Sequence, residues 1–379
     1  MKPERIVAAQ YFTYFGVLGV YLPFFNLYCY HLGFSGTQIG LFSSVRSVTM
    51  ALFPMLWGVV ADRFRNRRAI YLCCNLASAA AWSLFLFTRD FSTMLAVAAL
   101  YGVFYAPIIS FLEAFAMEAL GERKRRYGSL RAWGSVSFIL VVLCLGRLLD
   151  TVSVEVVVPL ILGGSLLHTL FALRLPPAVV PAGRFALGES GLFSAGTALF
   201  LAAGILMLFS HGTYYGFFSI HLENLGLDRT FIGLCWAVAV VAEIAVMVNS
   251  QRLFDRFPLR TVMAASFLAA ALRWLVLGWT SQPWIILATQ PLHAATYGTF
   301  HMASILYMDR LAAGASKTLG QAVNNALTYG MGLMVGFLVN GALYDTWTSF
   351  GLFRMSAGAA LLGGVLFTVL SRPGGSGAR

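Results

Sequence analysis

Long apolar runs recur along the chain, broken by short polar segments. A helix that crosses a bilayer needs about 20 mostly apolar residues. Twelve stretches meet that requirement: 6–31, 37–61, 69–88, 92–117, 128–149, 155–174, 195–222, 229–251, 259–280, 283–308, 320–344 and 349–371. The pattern predicts an all-α integral membrane protein with twelve transmembrane helices. The first run follows Lys2 and Arg5, as a signal peptide would, but it is too long for an h-region and is read as a retained helix. The longest break, 175–194, carries three of the twelve prolines and has six spans on either side. The expected domains are therefore an N-terminal six-helix bundle over 1–174, a cytoplasmic linker over 175–194, and a C-terminal bundle with a short cytoplasmic tail over 195–379.

Composition agrees with lipid as the solvent. Of the 379 residues, 59% are hydrophobic and 11% charged, where a soluble domain carries about 25% charged. This excludes an ordinary soluble enzyme, a disordered chain and a secreted disulfide scaffold. The net charge of +11 is not a nucleic-acid footprint, because the basic residues cluster in short loops between apolar runs. With the N-terminus cytoplasmic, 19 Lys and Arg fall on the inner side and 3 on the outer. The positive-inside rule then puts both termini in the cytoplasm. The five cysteines lie inside apolar runs without metal or redox spacing and are read as buried small residues.

The chain repeats itself. Residues 32–64 lie without gaps on 225–257, with 11 of 33 positions identical. Thr37, Ile39, Gly40 and Leu41 match Thr230, Ile232, Gly233 and Leu234, and Asp62, Arg63 and Phe64 match Asp255, Arg256 and Phe257. Apolar composition alone does not place two Asp-Arg-Phe runs at one distance from two Thr-x-Ile-Gly-Leu runs. The repeat sets span 2 on span 8 in the same orientation, so the two halves are pseudo-symmetric and parallel, one of the architectures of alternating-access transporters.

Charges within the spans are few: Arg46, Glu113, Arg131, Glu243, Arg273 and Arg354, accompanied by His211, His293 and His301. Each charge at mid-bilayer costs about 2.5–3.5 kcal/mol on insertion scales and needs an account. Glu113 and Arg131 enter one loop from consecutive helices and can meet. They form either a packing salt bridge or a substrate site, in which the carboxylate and guanidinium bind hydroxyls or Arg131 alone takes a carboxylate in bidentate fashion. Phe138, two turns on, is placed to stack on a ring. Gln290, His293, Tyr297 and His301 form a polar stripe on span 10, answered on span 11 by Gln321, Asn325, Thr328 and Tyr329. Together they suggest a wet cavity wall. Tyr14 on span 1 and His211, Tyr214 and Tyr215 on span 7 add aromatic and polar groups that suit an amphipathic, aromatic solute.

Gly58-Val-Val-Ala-Asp62-Arg63, followed by Arg65, Arg67 and Arg68, resembles the signature between helices 2 and 3 of the major facilitator superfamily. Gly58 suits a close helix approach, and Asp62 suits a helix N-terminus. The resemblance makes Gly58, Asp62, Arg63 and their repeat partners Asp255 and Arg256 gating residues. Gly19-Val-Tyr-Leu-Pro23, Pro107 with Glu113, and Tyr127-Gly-Ser-Leu-Arg131 resemble the lactose permease group. Tyr11-Phe-Thr-Tyr-Phe15, Arg131-Ala-Trp-Gly-Ser-Val-Ser-Phe138 and Val240-Val-Ala-Glu243 resemble the bacterial phenylpropionate-transporter group more closely. The permease resemblance implies that Glu243, Arg273 and His293 are proton-coupling residues, joined by His301. It departs at Thr296, where that group has a carboxylate, and at Tyr215, Phe218, Val246 and Tyr329. A fixed Glu243–Arg273 bridge is the structural alternative.

These observations predict a proton-coupled importer of a small organic solute such as an aromatic carboxylate, working by alternating access in a bacterial-type plasma membrane. Its substrate groups are expected to be Glu113, Arg131, Phe138, Tyr14, His211, Tyr215, Asn325 and Tyr329. A sugar or nucleoside symporter is the alternative transport reading. An intramembrane enzyme or a sensor lacks support, since no catalytic set, P-loop, metal site or cofactor site is present in the sequence. Expected partners are the solute, protons and the bilayer, with no nucleic acid, for a monomeric protein.

Overall fold

In a computed structural model, residues 3–176, 194–312 and 317–370 are described. Most of the 175–194 linker and the C-terminal tail lie outside them. Helices stand at all twelve expected places. The first six are α1 (Pro3–His31), α2 (Gly36–Phe64), α3 (Arg67–Ser83), α4 (Phe91–Leu120), α5 (Tyr127–Leu149) and α6 (Val157–Ala172). Then follow α7 (Ala195–Asn224), α8 (Arg229–Val248, continued by Ser250–Arg256) and α9 (Leu259–Leu277). The tenth, α10, is built in pieces: Pro283–Thr289, Ala294–Thr299 and Phe300–Leu311. The eleventh and twelfth, α11 and α12, run over Lys317–Asn324, Asn325–Met331 and Gly332–Val365, with the turn between them at Thr348, whose φ is 57°.

Local chemistry sets several helix ends. Ser35 caps α2 through a capping box with Gln38. Arg65 ends α2 in the left-handed region, and Asn66 caps α3 by accepting from the Ala69 N–H. Asp90 caps α4, accepting from the Thr93 N–H at 2.9 Å. That bond and the Thr93 hydroxyl hold its carboxyl below the usual carboxylate range.

The chain forms two compact units, residues 1–184 with 215–237 and residues 185–214 with 238–379. The outer arms of α7 and α8 thus belong to the first unit. There the backbones of α5 and α8 cross at Gly146 and Gly233, where a Cβ at Gly233 would meet the Val142 carbonyl. Beside this crossing the Arg229 N–H donates to Asp150 at 2.8 Å, and its guanidinium donates to Glu223 at 2.7 Å. His31 contacts the same Glu223 at 2.8 Å.

The first unit also holds a buried polar knot absent from the sequence expectations. The Gln10 amide donates to the His168 carbonyl at 2.7 Å, and the Tyr71 hydroxyl bonds both Gln10 and His168. It joins α1, α3 and α6 and satisfies polar groups that lipid could not.

Candidate functional site

Glu113 on α4 and Arg131 on α5 do approach, with Nε to Oε1 at 3.9 Å and both side chains part-exposed. Glu113 is already engaged, since the Tyr127 hydroxyl donates to it in a short bond. Arg131 instead lies on α1: its guanidinium sits 3.7 Å from the Phe15 ring centroid and 5.4 Å from that of Tyr11. A guanidinium over a ring face is held by the ring quadrupole and keeps its in-plane N–H donors available. The ring under the guanidinium is Phe15. Phe138, expected to stack on a solute ring, is buried with its backbone against Gly19. Gly134 is a position the sequence expectations did not single out. A Cβ there would strike both Phe15 and the Arg131 guanidinium. It stands in the quoted Arg-Ala-Trp-Gly run, so its signal was present. Tyr14 is buried and stacks on Tyr105 at 5.3 Å, one ring removed from Phe15.

In the second unit His293 contacts both members of the expected Glu243–Arg273 pair. Arg273 is fully buried. It donates to His293 Nδ1 at 2.9 Å and to Gln290 at 2.9 Å, and it lies over the Tyr214 and Trp274 rings at 4.4 and 4.7 Å. Guanidinium has no acceptor, so His293 Nδ1 must accept. The neutral ring then carries its proton on Nε2, the nitrogen 3.8 Å from Glu243 Oε1. That gap exceeds a hydrogen bond; closing it sets a donor against the carboxylate.

His211 is buried near this group, with Nδ1 donating to the Met207 carbonyl at 2.9 Å and Nε2 facing the Thr296 hydroxyl at 3.3 Å. His293, Tyr297 and His301 stack in parallel one turn apart, at 5.4 and 6.3 Å. His301 Nδ1 meets the Tyr329 hydroxyl at 2.8 Å. Both polar stripes run through π-helical turns, Ala294–Thr299 and Asn325–Met331. Such turns widen the helix and cluster at functional sites. The polar residue turned inward on α11 is Asn324, which accepts from Thr328 at 3.0 Å, while Asn325 is exposed. Tyr215 falls in the first unit, its ring 6.1 Å from Trp236.

The expected gating residues are exposed: Asp62, Arg63, Asp255 and Arg256 all lie at the surface. A Cβ at Gly58 would meet open space, so no helix makes a close approach there. The N-terminus of α3, which follows this loop, is capped by Asn66. The neighbouring basic residues are the engaged ones, Arg67 with Glu118 and Arg68 with the Leu173 carbonyl at 2.8 Å.

Residues 5–355 match the MFS_1 like family. A probable 3-phenylpropionic acid transporter of Escherichia coli is 29% identical over 373 residues, covering 95% of this chain and 96% of that protein. The maltose permease of Geobacillus stearothermophilus is 25% identical, covering 96% and 93%. A crystal structure of the nucleoside transporter NupG superposes with a TM-score of 0.82 at 17% identity, covering 98% of this chain and 99% of that one. Twelve helices at the expected places and a family match spanning almost the whole chain lead to one conclusion: this is a multi-pass membrane protein of the MFS_1 like family, a major facilitator transporter of small solutes and not an enzyme.

Proposed function

We propose that the protein imports an aromatic monocarboxylate together with a proton. The observation that carries the reading is the Arg131 guanidinium seated over the Phe15 ring at 3.7 Å while Tyr127 occupies Glu113. That arrangement offers a planar fork for a carboxylate beside rings for an aromatic body. The similarity to a probable 3-phenylpropionic acid transporter supports the same solute class. Arg131, Glu113 and Tyr14 form the substrate site on this reading. Glu243, His293 and Arg273 form the proton site, with His301, His211 and Tyr329 extending it.

The proton rides on Glu243. When it is ionised, His293 Nε2–H swings toward it; when protonated, it releases the ring. Two discrete pairings of this kind are what a coupled gate requires. Movement follows alternating access of the two halves in a bacterial-type plasma membrane. Both termini are cytoplasmic on the strength of the 19 to 3 charge asymmetry, and the protein acts as a monomer.

The test is reconstitution in liposomes with labelled 3-phenylpropionate. A pH gradient should drive uphill uptake, and maltose and nucleosides should not compete. Glu243→Gln, which mimics the protonated state, should abolish uphill accumulation and keep counterflow exchange. Retained accumulation removes Glu243 from coupling. Competition by maltose or a nucleoside, with none by aromatic acids, replaces the carboxylate reading by sugar or nucleoside symport.

A further inference from the structure

Arg46 has no role in the site described so far, and its surroundings are unusual. It lies ten residues into α2 from Gly36, about 15 Å at 1.5 Å per residue. That depth is near the middle of a hydrocarbon core about 30 Å thick. A charge there marks a functional position unless a partner neutralises it. No carboxylate and no hydrogen-bond acceptor among the described residues engages the Arg46 guanidinium; its recorded partner is the Tyr21 ring, 5.2 Å from centroid to Cζ. Arg273, the buried arginine of the second unit, has His293 and Gln290, and Arg131 has Glu113 at 3.9 Å.

Arg46 opens onto a cavity walled by rings, among them Tyr21, Trp82 and Tyr101. In this conformation the cavity is narrow, about 10 Å³ of free space, room for roughly one water. From it a continuous ladder of rings leads through the first unit. Tyr21 meets Trp82 at 5.9 Å, Trp82 meets Tyr101 at 4.8 Å, and Tyr101 stacks on Tyr105 at 4.8 Å. Tyr105 stacks on Tyr14 at 5.3 Å, and Tyr14 meets Phe15 edge-on at 5.2 Å. The ladder ends at Arg131, seated on Phe15. Two guanidinium groups thus stand at the two ends of one aromatic wall drawn from α1, α3 and α4. Arg46 enters from mid-α2, and Arg131 is four residues from the start of α5.

We propose that Arg46 is a second carboxylate-binding station for the transported aromatic acid, at the far end of this ladder from Arg131. The proposal rests on the aromatic-carboxylate reading above. The carboxylate displaces the Tyr21 ring from the guanidinium and takes its place, and the aromatic body lies against the Trp82 and Tyr101 rings. An aromatic acid can pass between two such stations without leaving a π-surface, and the fixed positive charge at each end selects the anion over its neutral analogue.

The test is equilibrium binding of 3-phenylpropionate and of its uncharged amide to the purified full-length protein in nanodiscs. The wild type should bind the acid and discriminate against the amide. Arg46→Gln should weaken the acid by about 10- to 100-fold, the loss of a charge-assisted bond, and leave amide binding unchanged. Arg46→Lys retains the charge for folding and guards against a misfolded Gln variant; it should weaken the acid as well, since an ammonium lacks the fork. Wild-type affinity in either folded variant overturns the station while leaving the transport reading intact. A wild type that binds no aromatic acid overturns both.

Discussion

The two units hold the arginines of their spans in opposite ways. In the first, Arg46 and Arg131 rest on the faces of Tyr21 and Phe15, and their N–H groups are largely uncommitted. In the second, Arg273 is fully buried: two rings cover it, and it donates to His293 and Gln290. A guanidinium left on an aromatic face is ready for a ligand anion. One that donates to fixed acceptors holds helices α9 and α10 together and sets the tautomer of its histidine. The contrast is the basis for the proposed division of roles, solute binding in the first unit and proton chemistry in the second.

The largest effect that would break this contrast is on folding. Arg273→Gln leaves His293 and Gln290 without their donor inside the protein, and each buried acceptor left unsatisfied costs about 1–3 kcal/mol. The variant should show a sharply lower Tm in detergent, with loss of monodisperse protein on size-exclusion chromatography. A Tm equal to the wild type would mean that Arg273 is not structural. The next effect is functional. Arg131→Lys should reduce uptake of the aromatic acid by at least about tenfold, because an ammonium cannot reproduce the bidentate fork, while its Tm stays near that of the wild type. Wild-type uptake in this variant would make Arg131 a packing charge like Arg273.

A smaller effect bears on the scaffold that presents the first-unit rings. Asp90 caps α4, the helix of Tyr101 and Tyr105, and its carboxyl is held below the ordinary range by the Thr93 N–H and hydroxyl. A lowered pKa means that the ionised cap stabilises the fold above the unfolded value, near about 4, and that this is lost as pH falls through the folded value. Asp90→Asn should lower Tm slightly at pH 7, and the difference from the wild type should shrink below about pH 4. A constant difference across that range would show that the charge contributes nothing at the cap.

Much of this was legible in the chain. The twelve spans follow from apolar run length, since lipid accepts only helices or closed barrels. The in-span charges are conspicuous because they are so few. The pairings were less legible. Glu113 and Arg131 met as their shared loop required, but the Phe15 ring under Arg131 comes from α1, a contact between helices far apart in the chain that residue spacing does not encode. His293 came between Glu243 and Arg273 because α10 passes beside both. The π turns that swing the polar stripes of α10 and α11 have no signature in residue spacing, which assumed an unbroken 3.6-residue period.

Sequence by itself determined the solvent of this protein, its helix count, its internal repeat and the short inventory of charges that must have a purpose in lipid. Those properties are sums over neighbouring residues, and the partition of apolar groups into hydrocarbon decides them locally. Tertiary structure decided which of those charges are satisfied. Whether Arg46 faces a carboxylate or a tyrosine ring, and whether Arg273 donates to Glu243 or to His293, depends on crossings between helices far apart in the chain. A few ångströms there separate a spent hydrogen-bond donor from an open one.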